Sequence, residues 1–189
     1  MGILRPQMNF LMRLSLGAEV DRLASDLIAL CTRHNFVPWL AIGAIYRGWA
    51  RSVSGNTEEG IPLIEQGISD YRATGTVLAL PSLLARKAEA LHLANRPSDA
   101  LMAIREAEVL AERFEQTYFC AELYRLRGVF LTALGAEETE IEDSFCEAMR
   151  IAREQKSISL EKRTEATCAE YNRHKASGSR GRGFRLPLW

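Results

Sequence analysis

Residues that could perform acid–base or metal chemistry are few in this sequence, and they lie far apart. The three histidines are His34, His92 and His174, and none has a second ligand at the spacing of a zinc site. Acidic pairs, the clearest being Glu58–Glu59, precede predicted helices, where negative charge complements the helix dipole. The motif G-x-x-x-x-G-K-[ST] is absent, so a P-loop for nucleotide phosphates is not expected. We therefore predict no catalytic residue, no cofactor and no metal, and expect that the chain is not an enzyme.

The four cysteines also lack a redox or metal pattern. They are Cys31, Cys120, Cys146 and Cys168, and no two are separated by the two residues of a C-x-x-C motif. Reduced, mostly buried thiols are typical of cytoplasmic proteins, and that is the location we predict. No apolar run approaches the roughly 20 residues of a membrane span, and the amino-terminal stretch is interrupted by Arg5 and Pro6. No membrane association is expected.

Charge is distributed unevenly although it balances overall. The 189 residues contain 24 basic and 24 acidic side chains, but residues 173 to 189 contain five basic residues and no acidic one. This Gly/Ser/Arg-rich segment, assigned to residues 174–189, is predicted to be a flexible tail because it cannot bury enough surface to order itself. Weak nucleic-acid binding through the tail is a third-ranked hypothesis. The acidic remainder argues against nucleic acid as a partner for the chain as a whole.

Small residues recur at intervals of about 40 residues, and they indicate the architecture. Their positions are Gly48, Gly55, Gly60 and Gly67, then Ala88, Asn95, Ala100 and Ala107, then Gly128, Gly135 and Ala148. A fixed period of this size marks stacked repeats, and small residues inside helices permit close approach of neighbouring helices. We predict an all-α fold of antiparallel, tetratricopeptide-like helix pairs stacked as a right-handed α-solenoid.

The domain prediction follows this register. One solenoid over residues 1–173 contains full helix pairs at 36–75, 76–115 and 116–156 and a carboxy-terminal half repeat. A degenerate amino-terminal pair has helices near Gln7–Leu16 and Ala18–Thr32, the second carrying Val20, Leu23, Leu27, Leu30 and Cys31 on one face.

Pro62 predicts a distortion or a later start of the helix that contains it, and Thr57 is the predicted N-cap of that helix. The last helix lacks a following partner, so self-association through it, near Leu160 and Cys168, is a further expectation.

Several stretches resemble a known group of bacterial proteins. The segments WLAIGAIYRGWA (39–50), EEGIPLIEQGISDYRATG (58–75), AELYRLRGVFL (121–131) and FCEAMRIAREQKSISLE (145–161) are similar to the carboxy-terminal repeats of large signalling ATPases. Those proteins often carry a class III adenylate/guanylate cyclase domain, and their repeats resemble those of the maltose-regulator family. The resemblance covers about residues 18 to 170 and implies helical repeats in a signalling protein. Neither the cyclase nor the ATPase part is present, so no catalytic role carries over.

The register also predicts a binding surface. If the first helices of the pairs line a groove, its candidate residues are Ile45, Trp49, Glu89, His92, Glu122, Arg125 and Val129. Trp and Arg are favoured as binding anchors, although Trp49 would equally serve to fill a gap between repeats. The leading hypothesis is a regulatory scaffold that binds a protein, a peptide or a small ligand in this groove. The alternative is a fragment or trans-acting regulator of a class III cyclase/ATPase.

Overall fold

The fold is described by a computed structural model, which gives the backbone of residues 4–176 and the side chains of residues 15–176. Within that range the chain forms α-helices and one short 3₁₀ turn, and no strand occurs. The all-α prediction is therefore confirmed. The helices are α1 (Leu4–His34), α2 (Val37–Val53), α3 (Thr57–Ala73), α4 (Leu80–Leu93), α5 (Pro97–Arg113), α6 (Cys120–Leu134), α7 (Glu138–Glu154) and α8 (Ile158–Ala176), with the 3₁₀ turn at Thr117–Phe119.

The predicted amino-terminal helix pair is wrong, because a single 31-residue helix, α1, covers both of its members. Gly17, which lies between the two predicted helices, is buried inside α1, and its Cα faces Ala50 of α2 and Ser54, the residue that follows α2. An internal glycine costs a helix about 1 kcal/mol relative to alanine, which is too little to break a helix that packs along its length. Here glycine permits close contact with α2 rather than a turn.

Helix ends recur about every 20 residues and set the period of the chain. One of the first two residues after each of seven helices has a positive φ angle: Asn35, Gly55, Gly75, Asn95, Glu115, Gly135 and Lys156. At six of these ends the next amide donates to a carbonyl five residues earlier, as Asn56 does to Arg51 and Ala136 to Leu131. This Schellman arrangement satisfies carbonyls that a helix end leaves free. Two such steps give the 40-residue interval seen in the sequence.

The chain divides into two compact units, residues 1–96 and 97–189. In the first, α1 packs on α2, α2 on α3, α3 on α4, and α2 also contacts α4. In the second, α5 packs on α6, α6 on α7, α7 on α8, and α6 also contacts α8. Each unit thus contains antiparallel neighbours plus one contact between helices two places apart.

Glycines determine how closely α2 and α3 approach. A Cβ atom on Gly48 would lie 2.5 Å from the carbonyl oxygen of Gly60 and 3.0 Å from the backbone nitrogen of Ile64. A Cβ atom on Gly67 would lie 2.6 Å from Cγ1 of Ile45. No side chain fits at these distances, so the predicted packing role of the small residues is confirmed for this helix pair.

Two local predictions about α3 need correction. The helix begins at Thr57 and runs through Pro62, so of the two predicted alternatives, a distortion or a later start, the later start does not occur. The N-cap is Asn56, whose side-chain oxygen accepts a hydrogen bond from the amide of Glu59 at 3.3 Å. Asparagine caps at least as well as threonine, and this choice places Pro62 in the second turn. The last helix ends at Ala176, three residues beyond the predicted solenoid boundary at residue 173.

None of the helices in residues 4–176 combines the length and the apolar composition that crossing a bilayer requires. The predicted tail lies almost entirely in residues 177–189, outside the described part of the chain.

Candidate functional site

A buried polar cluster joins α2 to α4 in the first unit. The indole Nε1 of Trp49 donates a hydrogen bond to Oε2 of Glu89 at 2.7 Å. Nη1 of Arg86 lies 2.7 Å from the same oxygen, and its guanidinium carbon lies 5.5 Å from the centre of the Trp49 ring. Trp49 and Glu89 are each 3% exposed. The buried Glu89 carboxylate is therefore neutralised by Arg86 of its own helix, α4. It also accepts the hydrogen bond from Trp49 of α2.

A second buried cluster joins α6 to α8 in the second unit. Arg125 donates from Nε and Nη2 to the two oxygens of Glu122, both at 2.8 Å, and from Nη1 to Oγ1 of Thr167 at 3.0 Å. Nη1 of Arg163 lies 3.0 Å from Oε1 of Glu122. Arg125 and Glu122 are each 1% exposed. Since a buried guanidinium needs its donors satisfied, this network fixes the position of α6 against α8.

The predicted groove residues therefore do not line an open surface. Six of them are buried and His92 is partly exposed; the six are Ile45, Trp49, Glu89, Glu122, Arg125 and Val129. Trp49 and Arg125 contact the helix two places away, whereas Ile45 lies against Gly67 of α3. The sequence register alone does not reveal these contacts, and partner binding through the seven positions stays a prediction. For Trp49 the alternative of filling a gap between helices agrees with its burial.

Sequence reasoning missed three members of the two clusters, Arg86, Arg163 and Thr167. A local signal existed for the first, because Arg86 and Glu89 stand three residues apart on one helix, as Glu122 and Arg125 do. Thr167 lies 42 residues from Arg125 in the chain, so only the packing of α8 brings it there.

An open basin of about 600 Å³ lies between α6 and α7 in the second unit. We call it the α6–α7 basin. Its lining residues carry both signs of charge together with an aromatic ring: Tyr124, Arg127, Glu140, Asp143, Ser144, Cys146, Glu147 and Arg150. None was among the predicted site residues. Unlike the buried clusters, this surface is accessible to a partner.

Arg127 occupies the inner wall of the basin between two carboxylates. Its Nη1 lies 3.8 Å from Oε2 of Glu108 on α5, and its Nη2 lies 3.9 Å from Oε1 of Glu140 on α7. Both separations exceed hydrogen-bond length, and Nε of Arg127 and Oε1 of Glu108 are buried without a hydrogen bond. Hydrogen-bonding capacity therefore remains at this wall.

Burial controls ionisation beside the basin. It raises the pKa of Glu108, although the Arg127 guanidinium opposes the shift. Burial together with the nearby Glu108 carboxylate also raises the pKa of the Cys120 thiol and of the Tyr124 phenol. Both changes disfavour the thiolate and the phenolate, which are the nucleophilic forms. The local electrostatics suit binding better than nucleophilic chemistry.

The free cysteines differ in accessibility: Cys31 is buried, Cys120 and Cys168 are partly buried, and Cys146 is exposed in the basin. Within the described residues, no group of three or more His, Cys, Asp or Glu side chains is arranged to hold a metal ion.

Comparison with known proteins finds a relative in a bacterium. The chain is 26% identical over 152 residues to an uncharacterized protein of Rhizobium meliloti (strain 1021). The match covers 80% of this chain but only 15% of the relative, so the chain spans a small part of the length of that protein. No family model matches the chain. No solved structure matches it either.

Proposed function

We propose that this chain is a non-catalytic helical-repeat scaffold that binds a protein or peptide and regulates a bacterial signalling system in the cytoplasm. The observation that carries the proposal is the 20-residue recurrence of the helix ends. Tetratricopeptide-like α-solenoids are built from a series of helix hairpins in which helices two places apart also touch, as α2 and α4 do here in one unit and α6 and α8 in the other. Proteins of that architecture present extended surfaces to other polypeptides.

The α6–α7 basin is the surface that we assign to the partner. Tyr and Arg are the residue types enriched at the energetic centres of interfaces, and Tyr124, Arg127 and Arg150 supply them here. The acidic residues Asp143 and Glu147 on the opposite wall fit a partner segment of mixed charge.

Photo-crosslinking followed by measurement of affinity tests the assignment. A photoreactive amino acid replaces exposed Cys146 in the basin, and a matched control places it at exposed Lys162 on α8. A partner that crosslinks at position 146 but not at position 162 is purified. Its affinity is then measured for the wild-type chain and for two variants. Arg150→Glu should weaken binding at least tenfold, because Arg150 lines the basin. Arg153→Glu, an equal charge change on an exposed side chain outside it, should change binding less than twofold.

Equal affinities of the two variants would contradict the basin assignment. Failure to crosslink any partner at position 146, when the control position yields one, would do the same.

A second candidate is regulation of a class III cyclase/ATPase, either in trans or as a segment of such a protein. The resemblance of the helical repeats to those of cyclase–ATPase proteins supports this candidate. So does the size of the Rhizobium relative, because the matching region is only 15% of that protein. Adding the purified chain to a cyclase–ATPase encoded beside it should then change nucleotide turnover. An unchanged rate at saturating concentration would exclude action in trans.

A further inference from the structure

Helix α1 carries an apolar stripe that is only partly covered by the rest of the described residues. It consists of Leu16, Val20, Leu23, Leu27 and Leu30, which alternate in spacing between four and three residues. Leu23 is 52% exposed and Leu30 is 50% exposed, and the other three are partly exposed. Spacing of this kind is the seam of a two-stranded coiled coil, in which such side chains interlock with those of a second helix.

A different face of α1 makes its contact with α2. Gly17, Ala24 and Cys31 are buried there, and Ile28 approaches Gly43 so closely that a Cβ atom on that glycine would lie 2.8 Å from it. Asp21 on the same face lies 3.6 Å from Nε of Arg47. Of the stripe, Leu27 also reaches this contact, since a Cβ atom on Gly43 would lie 3.6 Å from its Cδ2. Leu23 and Leu30 stay exposed on the adjacent face.

The charges along the stripe indicate which way a second helix would run. Glu19, Asp26 and Arg33 lie at seven-residue intervals along its outer border. If an identical helix packs antiparallel, so that Leu23 meets Leu27 and Val20 meets Leu30, then Glu19 of each copy faces Arg33 of the other. The two Asp26 residues meet at the centre, but each already has Arg22 of its own helix at 3.0 Å. The same Arg22 also contacts Glu19 at 2.7 Å, so Arg33 of the other copy would be a second partner of Glu19. Parallel packing would instead place these charges opposite Ala24 and Cys31, which are buried under α2.

We propose that two copies of this chain associate through an antiparallel α1–α1 pair about a twofold axis near Ser25. The same stripe serves both copies, which is the requirement of a twofold interface. Ten apolar side chains bury less than the about 1,600 Å² of a standard interface. The dimer is therefore expected to be weak, with a Kd on the order of 10 μM, a value typical of small interfaces. This inference does not depend on the α6–α7 basin.

Sedimentation equilibrium of the full chain, from about 1 to 500 μM, tests the proposal. The wild type should show a reversible monomer–dimer equilibrium. Leu23→Glu should weaken it at least tenfold, whereas Met102→Glu, which changes a 67% exposed apolar residue on α5, should leave it unchanged. Circular dichroism confirms that both variants remain as helical as the wild type, since both side chains are exposed.

Charge exchange tests the antiparallel pairing itself. Arg33→Glu should weaken the dimer about tenfold, because it places a second carboxylate opposite Glu19 of the other copy. The double variant Glu19→Arg/Arg33→Glu should restore the wild-type Kd to within twofold, because it reverses each pair and keeps the two charges opposite. A chain that stays monomeric throughout, an unaffected Leu23→Glu dimer, or an absence of rescue would each overturn the proposal. A monomer would leave the stripe for a different protein.

Discussion

The indole of Trp49 donates to the carboxylate of Glu89 at 2.7 Å, and the two residues are 40 positions apart, one period of the chain. Equivalent positions in successive helix pairs thus contact each other directly. The bond links α2 to α4 without involving α3, which lies between them in the sequence. The interval that is visible in the sequence therefore corresponds to a physical contact in the first unit.

Arg125 and Arg150 allow the stability contributed by a buried ion pair to be compared with that of an exposed one. Each makes a two-pronged contact with a Glu three residues earlier, but Arg125 is 1% exposed and the Arg150 side chain is 54% exposed. Arg125→Ala should cost about 3–5 kcal/mol of unfolding free energy, because it leaves the buried Glu122 short of its main partner. Arg150→Ala should cost less than about 1 kcal/mol. Urea denaturation measures both, and similar costs would contradict the burial described for Arg125.

Gly48→Ala should destabilise the protein although alanine is the better helix former. The new methyl group would lie 2.5 Å from the carbonyl of Gly60, a backbone atom that cannot move without separating α2 from α3. We expect a loss of about 2–4 kcal/mol, the range of severe overpacking. At Gly128 the nearest atoms belong to the Phe145 ring, which can rotate, so Gly128→Ala should cost less. The reverse order in thermal or urea unfolding would argue against the close α2–α3 contact.

Two helix ends offer stabilising substitutions. Glu115 and Lys156 have φ angles of 53°, a region that disfavours residues with a Cβ atom by about 1–2 kcal/mol. Glu115→Gly and Lys156→Gly should each raise the unfolding free energy by about 0.5–1 kcal/mol. Arg105→Gly is the control, because this exposed residue lies in the middle of α5 and should lose about 1 kcal/mol. Destabilisation at position 115 or 156 would contradict the left-handed helix ends.

The stability contributed by Glu108 should fall as pH rises. Burial raises its pKa in the folded protein, so between the unfolded and folded pKa values the native state holds the extra proton. The wild type should therefore lose stability relative to Glu108→Gln as pH increases through and above the ordinary carboxyl range.

Glu147 provides a control with the opposite pH dependence, because Arg150 lowers its pKa. Relative to Glu147→Gln, the wild type should lose stability as pH falls through that lowered value. Urea midpoints between pH 3 and 8 measure both differences, and identical slopes would contradict the assigned environments.

Most helix boundaries could be predicted because glycine, asparagine and proline stand at them in the sequence. Gly55, Gly75, Gly135 and Asn95 follow helix ends, and Pro97 begins α5; these are the residue types that favour such positions. Glu115 and Lys156 adopt the same backbone conformation without a residue type that predicts it. Gly17 misled us, since glycine at a helix end and glycine at a close helix contact look alike in one sequence.

The candidate site was less predictable than the fold. The repeat register placed Trp49, Glu89 and Arg125 on one side of their helices, but it could not show that neighbouring helices cover that side. The α6–α7 basin depends on how α6 meets α7, and its residues have no motif. The expected self-association at α8 stays untested, but Leu160 and Cys168 are only partly exposed there. The larger apolar stripe lies on α1.

A double-mutant cycle on Trp49 and Glu89 tests the central claim, that helices one repeat apart pack side by side. Unfolding free energies are measured for the wild type, Trp49→Phe, Glu89→Leu and the double variant. Trp39→Phe combined with Glu89→Leu gives the control cycle, because Trp39 is 57% exposed. We predict a coupling of about 1–3 kcal/mol for Trp49 with Glu89 and none for Trp39. A Trp49–Glu89 coupling below about 0.3 kcal/mol would mean that α2 and α4 are not in contact, and the repeat account would fail.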